Sequence, residues 1–330
     1  MHIASIEYYL PEIIVDNAQL AQEFPEWAAE KIFDKIGIAR RHVARKDETA
    51  LDMAVKVSEV IFENYDKNKI DFILLCTQSP DYFLPTSACI LQEKLGLPKN
   101  TGALDFNLGC SGFIYGLALA KGLITGNIAN NVLLVTSETY SKHIHLKDKA
   151  NRSIFGDGAA ATIISRSERN GILEFELGTD GNGMNNLIVP NGGFRAKFNI
   201  DEKDIVDDNG NVRNNNCLWM NGPEIFDFTI ENVPPLVTRV LEKNMLSIET
   251  IDYVILHQAN KYMLDYLRKK MKIPPGKFYQ NMEETGNTVS STIPIALKDC
   301  IEKGTVKSGS KVLLAGFGVG YSWGAVVIEI

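Results

Sequence analysis

The apolar block Ile70-Asp71-Phe72-Ile73-Leu74-Leu75-Cys76-Thr77-Gln78 returns later in the chain as Ile251-Asp252-Tyr253-Val254-Ile255-Leu256-His257-Gln258. A second block, Val132-Leu133-Leu134-Val135, returns as Val312-Leu313-Leu314-Ala315 after a nearly equal interval. A repeat of this kind constrains the chain to two copies of one plan. Runs that are apolar at nearly every position read as strands buried on both faces, and such strands belong to mostly parallel sheets covered by helices. Helical stretches at 86–95 and 261–271 alternate with them. The fold class is therefore α/β, with halves at residues 1–168 and 169–330.

The repeat also aligns Leu108-Gly109-Cys110-Ser111 with Thr285-Gly286-Asn287-Thr288, each a Gly-X turn opening a helix. Two halves packed face to face bring these elbows together; a duplication that left only similar packing gives the same pattern. Cys110 stands where Ala103-Leu104-Asp105-Phe106 gives way to a stretch, 113–124, that is apolar on nearly every face. A helix of that composition is buried, its N-terminus aimed at one internal spot, and Cys110 occupies the spot. The unpaired N–H groups there favour a thiolate, so Cys110 reads as a nucleophile. Inert packing is the commoner fate of a free cysteine. Gly109 and Gly112 forgo packing on both sides of it, and read as leaving the backbone open to a thioester.

Length and composition narrow the field. At 330 residues and 45% hydrophobic the chain buries a large core, and a net charge of −7 argues against nucleic acid as a partner, which needs a dense basic face. The N-terminus alternates like a strand and lacks the features of a signal peptide, and no apolar run reaches the roughly 18 residues that span a bilayer. The reading is a soluble cytoplasmic protein without a membrane partner. Five cysteines with no Cys-x-x-Cys spacing argue against disulfides and a zinc site.

Other polar residues fall at strand-to-helix junctions. His257 ends a strand and precedes Gln258-Ala259-Asn260, which places its imidazole at the carboxyl edge of a sheet, the ligand side of α/β folds, although a satisfied core histidine is the commoner case for any single His. Asn287 would ordinarily be read as an N-cap. Gly316-Phe317-Gly318-Val319-Gly320-Tyr321 leads into a strand rather than a helix, so it is a hairpin whose amides can serve as oxyanion donors and not a dinucleotide loop. His143-Ile144-His145 would set two imidazoles on one side of a strand, but no metal spacing surrounds them. Residues 191–216 form a long Asn- and Gly-rich loop, either a functional rim or solvated decoration.

Cys110 in Asn-Leu-Gly-Cys-Ser-Gly-Phe, His257 in His-Gln-Ala-Asn, Asn287 in Gly-Asn-Thr-Val-Ser-Ser and the terminal Gly-Phe-Gly-Val-Gly-Tyr-Ser-Trp-Gly together resemble the β-ketoacyl-acyl carrier protein synthase III family of thiolase-fold condensing enzymes. Phe155-Gly156-Asp157-Gly158-Ala159-Ala160 and Gly37-Ile38 with Arg41-His42 also match. The resemblance implies a thiolase-like fold of two pseudo-duplicated halves in αβαβα layers. It implies decarboxylative condensation of an acyl-coenzyme A primer with malonyl-acyl carrier protein, both as substrates and with no cofactor, in a homodimer that starts fatty acid chains. Cys110 would carry the acyl group, His257 and Asn287 would hold the malonyl enolate, and the amides of Cys110, Val319 and Gly320 would form the oxyanion hole.

The same resemblance assigns the acyl pocket to Phe317 and to Leu84, the latter reaching across the dimer interface. Leu84 in place of a phenylalanine implies donors larger than acetyl. Lys261, Arg268, Lys269 and Lys270 form a basic cluster suited to docking an acidic carrier protein, although a solvated helix face is the ordinary explanation for such charges. Trp27, Lys35 and Arg152 stand for coenzyme A contacts, with a longer interval between Trp27 and Lys35 than in the family's Trp-x-x-x-Arg-Thr-Gly-Ile. The rival readings are a paralogue with another donor or acceptor, a non-catalytic carrier-binding subunit, which is at odds with retention of Cys110, His257 and Asn287, and a cysteine hydrolase, which is at odds with Asn287 because an amide stabilises an enolate better than it activates water.

Overall fold

The computed structural model describes residues 1–330. Its first half runs β1 (His2–Tyr9), then β2 (Ile13–Asp16) and β3 (Arg40–Val43) flanking short helices α1 (Asn17–Glu23) and α2 (Ala29–Ile36). It continues through α3 (Ala50–Phe62), β4 (Phe72–Cys76), α4 (Ser87–Lys94), β5 (Gly102–Phe106), α5 (Gly112–Thr125), β6 (Asn131–Glu138), α6 (Lys149–Ile154) and β7 (Gly158–Ser165). The second half opens with β8 (Ile172–Thr179) and four two-residue strands, β9 (Leu187–Ile188), β10 (Ile205–Val206), β11 (Val212–Arg213) and β12 (Trp219–Met220). Then follow α7 (Gly222–Lys243), β13 (Tyr253–Leu256), α8 (Lys261–Lys270), β14 (Phe278–Tyr279), α9 (Thr292–Glu302), β15 (Lys311–Gly318) and β16 (Ser322–Glu329).

The two large sheets have the same topology. One is ordered β1-β7-β6-β4-β5 and the other, read in the matching direction, β8-β16-β15-β13-β14. In each, three strands are parallel and the remaining two are antiparallel additions. The repeated blocks become the central pairs: Phe72 lies opposite Val132 in one sheet and Tyr253 opposite Val312 in the other.

Strand periodicity explains the layering. Along β4, Leu74 faces a core shared with Phe113, Ile114 and Leu117 of α5, Ile293 and Leu297 of α9, and Leu314 and Val326 of the other sheet. Its neighbours Ile73 and Leu75 face outward onto Leu51 and Val57 of α3 and Leu91 of α4. The outer face of the second sheet buries Leu313 and Val327 against Val233, Leu236 and Val240 of α7 and Leu264 and Leu267 of α8. The order is thus helices, sheet, the central pair α5 and α9, sheet, helices. Both central helices begin deep in the molecule, which is where the two elbows meet.

Residues 143–145 depart from the strand expected of them. A 3-10 turn, Tyr140–His143, follows β6 directly. It is fixed by the buried Asp157 carboxylate, which accepts from the Ser141 N–H at 2.9 Å and from its hydroxyl at 2.5 Å. His143 then lies 3.3 Å from the Gln78 carbonyl while His145 faces Asp204, so the imidazoles diverge.

Candidate active site

Cys110, His257 and Asn287 line one cavity of about 150 Å³, together with Phe317, Gly318, Asn260 and Met263. Cys110 immediately precedes the first turn of α5 and is 6% exposed. Its own main-chain N–H and that of Val319 face the sulfur. The hairpin between β15 and β16 brings Val319 there, and it can do so only because residue 318 has no side chain: a Cβ on Gly318 would stand 2.9 Å from Cys110 Cβ and 3.0 Å from its Sγ. Gly320 closes the turn with φ +136°, a backbone conformation open to glycine.

Two sequence expectations about Cys110 change. Burial, followed by the charge of Glu138, pushes its thiol up to about 12, and the two facing amides offset only part of this. The resting group is a thiol, because loss of water outweighs the helix terminus. Nor do the flanking glycines make room for substrate. A Cβ on Gly112 would fall 2.3 Å from Cys76 Sγ, and one on Gly109 would strike Val319 and Gln78.

His257, at the end of β13, is 2% exposed and packs edge-on against Phe317. Burial lowers its pKa to about 3, so the ring is neutral. Its Nδ1 lies 2.7 Å from Thr292 Oγ1, and its Nε2 lies 3.5 Å from Asn287 Nδ2. Asn287 is not an N-cap of α9. Its main chain bridges the first half, donating to the Ile154 carbonyl at 2.9 Å and accepting from the Gly156 N–H at 3.0 Å. Its side-chain oxygen accepts from the Val289 N–H at 2.9 Å, which turns the amide NH₂ toward His257. That turn holds Val289 at φ +56°, a strained setting for a β-branched residue.

Sequence reasoning missed the groups behind the thiol. Glu138, at the end of β6, is fully buried and accepts from the Gln78 N–H at 3.0 and 3.1 Å and from the hydroxyls of Ser79 and Ser290. Burial raises it to about 8. Tyr140 packs with Cys110, Ile144, Phe155, Leu187, Leu218 and Val289 in one apolar cluster, and its hydroxyl donates to Gln78 Oε1 at 3.3 Å. An acid closing a strand whose other residues are uncharged was the visible signal for Glu138; Tyr140 gave none.

The remaining candidates separate. Phe317 lines the cavity, but Leu84 is 81% exposed and lies outside it. Trp27 and Lys35 share a neighbouring cavity of about 330 Å³ with Lys31 and Ile154, and Ile154 also lines the Cys110 cavity. Arg152 does not line it; its guanidinium is held by Glu23 at 2.5 and 3.1 Å. Lys261, Lys269 and Lys270 are exposed and Arg268 half-buried on α8, and none of the four forms an ion pair. Asn260, which caps α8 through Met263 N–H, places the start of that helix at the cavity wall. No helix is long and apolar enough to cross a membrane.

Comparison with known proteins agrees with this geometry. The family model for 3-oxoacyl-[acyl-carrier-protein] synthase III matches residues 104–181, and that for its C-terminal part matches residues 241–330. A β-ketoacyl-[acyl-carrier-protein] synthase III of Clostridium perfringens is 38% identical over 98% of this chain and 97% of its own length. The Fusobacterium nucleatum protein of that name is 36% identical over 99% of this chain and 98% of its own. A crystal structure of a 3-oxoacyl-(acyl-carrier-protein) synthase III, 48% identical, superposes with a TM-score of 0.98, covering 100% of this chain and 99% of that one. The Thermus thermophilus enzyme, 31% identical, gives 0.88 over 100% and 99%. On its sequence, its doubled sheets and the three residues gathered at their junction, this chain belongs to the β-ketoacyl-acyl carrier protein synthase III family of thiolase-fold condensing enzymes.

Proposed function

We propose that the chain condenses an acyl-coenzyme A primer with malonyl-acyl carrier protein, releasing carbon dioxide and starting a fatty acid chain. The observation that carries this reading is the convergence of a cysteine, two neutral hydrogen-bond donors and two amides on one buried cavity. Cys110 sulfur attacks the primer thioester; the carbon–sulfur bond to coenzyme A breaks, and coenzyme A leaves with the thiol proton. Malonyl-carrier protein then enters. As its carboxylate leaves as carbon dioxide, the bonding pair becomes an enolate whose oxygen is held by His257 and Asn287. The enolate carbon attacks the acyl-Cys110 carbonyl, whose oxygen lies against the amides of Cys110 and Val319, and collapse breaks the carbon–sulfur bond and expels Cys110 as a thiolate, which takes a proton from solvent to restore the thiol.

The substrates approach by distinct surfaces. Coenzyme A fits the cavity of Trp27, Lys31 and Lys35, which adjoins the Cys110 cavity at Ile154. The unpaired cations of α8 suit an acidic carrier protein. Phe155 and Leu187 give the Cys110 cavity an apolar wall for the primer's acyl chain, and Leu84 implies donors larger than acetyl. Leu84 lies on a face suited to a dimer, from which it would reach a partner's acyl pocket: Tyr82, Phe83, Leu84, Phe194, Phe198 and Ile200 are exposed, the ring centroids of Phe83 and Phe194 are 5.9 Å apart, and β5 is an unpaired sheet edge. A second copy covers this face.

Intact mass after exposure to a panel of acyl-coenzyme A thioesters tests the first step. A single adduct of the acyl mass, mapping to Cys110 and absent from Cys110→Ala, is expected. An adduct that persists in that variant would overturn the assignment.

A further inference from the structure

We propose that Thr292 is a positioning residue that fixes His257 in the tautomer carrying its proton on Nε2, so that the ring presents a donor to the cavity. This deepens the reading of His257 given above and rests on it. The Thr292 hydroxyl has one proton and two acceptors within reach, His257 Nδ1 at 2.7 Å and the Val289 carbonyl at 3.0 Å. The Val289 carbonyl already accepts the main-chain N–H of Thr292. The hydroxyl proton is therefore free to go to Nδ1, the shorter contact, and no carbonyl is left unserved. Because the buried ring is neutral, a proton accepted at Nδ1 places the ring's own N–H on Nε2.

The far side of the ring supports the same assignment. Asn287 Nδ2 is committed as a donor, since its amide oxygen is held by the Val289 N–H. It lies 3.5 Å from Nε2, at the outer limit of a hydrogen bond and the spacing of two donors with nothing between them. With Nε2 protonated, two N–H groups converge on one point of the cavity and await an oxygen. With Nε2 bare, Asn287 would be drawn toward the ring and the point would be filled. Thr292 stands at the first residue of α9 and is 2% exposed, so water does not compete for its hydroxyl.

The test reads the tautomer without substrate. Nitrogen-15 spectra of the imidazole-labelled full chain, with His257 signals identified by their absence from His257→Ala, should show a protonated Nε2 and a bare Nδ1. Thr292→Val, which keeps the shape and removes the hydroxyl, should show mixed tautomers. It should also lower kcat for malonyl decarboxylation about 10- to 100-fold, with KM changed less than about twofold and a smaller effect on Cys110 acylation. Thr292→Ser should restore the wild-type spectrum and most of the rate. A protonated Nδ1 in the wild-type protein overturns the proposal even if the valine variant does not fold, as does a valine variant with the wild-type spectrum. Because the spectrum needs no substrate, a correct tautomer beside an Asn287→Ala protein that decarboxylates normally would fault the enolate assignment and leave Thr292's role standing.

Discussion

At the scale of single residues, the site is governed by burial. Glu138 forms no ion pair; the charge of Asp157 raises its pKa further, and its own charge raises those of Cys76, Cys110 and Tyr140. Its carboxyl, ordinarily near 4.5, is raised to about 8, so it loses its proton only as pH climbs through that value, and its negative charge then holds the Cys110 thiol protonated. Glu138→Gln removes that charge at every pH. The rising limb of Cys110 acylation should therefore shift to lower pH, measured by iodoacetamide or acyl-coenzyme A labelling rates; an upward shift would contradict the electrostatic account. For His257 the sign is opposite. Its folded pKa of about 3 lies below the ordinary 6.5, so the unfolded chain binds the extra proton between these values, and the stability owed to the neutral ring is lost as pH falls through the window. Denaturant unfolding between pH 7 and pH 4 should show a shallower decline in His257→Gln than in wild type, and equal slopes would count against it. Cys110, His257 and Asn287 were legible because each sits at a junction marked by local pattern. The acidity of Cys110 was not, since a helix terminus can be read from order along the chain but the water removed around it cannot.

At the scale of elements, the doubled strands were legible for a plain reason. β4, β6, β13 and β15 are buried on both faces, and continuous apolar runs report that directly. What escaped is contact between elements distant in sequence, such as the end of β6 meeting the turn before α9 through Glu138 and Ser290. Tyr140 is of the same kind: nothing in Thr139-Tyr140-Ser141 tells that its ring will fill part of the apolar space around Cys110. Tyr140→Leu should enlarge that space and move the ratio of kcat/KM for branched over acetyl primers by about 1–3 kcal/mol. An unchanged ratio would place the acyl group elsewhere. On α8, charge reversal at Lys269 and Lys270 should raise KM for malonyl-carrier protein and flatten its salt dependence while acylation by acyl-coenzyme A continues. Unchanged KM would remove α8 from the docking surface.

At the scale of the whole molecule, duplication places two elbows at the centre, and the chemistry divides between them. Under the proposed function the first half supplies the nucleophile at the head of α5 and the second supplies His257 and Asn287 before α8 and α9, with the hairpin between β15 and β16 contributing the Val319 amide beside Cys110. The exposed face of Phe83, Leu84 and Phe194 predicts that the parent chain should sediment as a dimer and that Phe83→Asp with Phe194→Asp should yield monomers; a monomeric parent chain would contradict it. The central claim is that acyl loading and malonyl activation belong to different halves. Measuring carbon dioxide release from malonyl-carrier protein beside Cys110 acylation in Asn287→Ala tests it most directly. The account predicts near wild-type acylation with carbon dioxide release reduced about 10²–10³-fold, the cost of one preorganised donor. Release at the wild-type rate would contradict it.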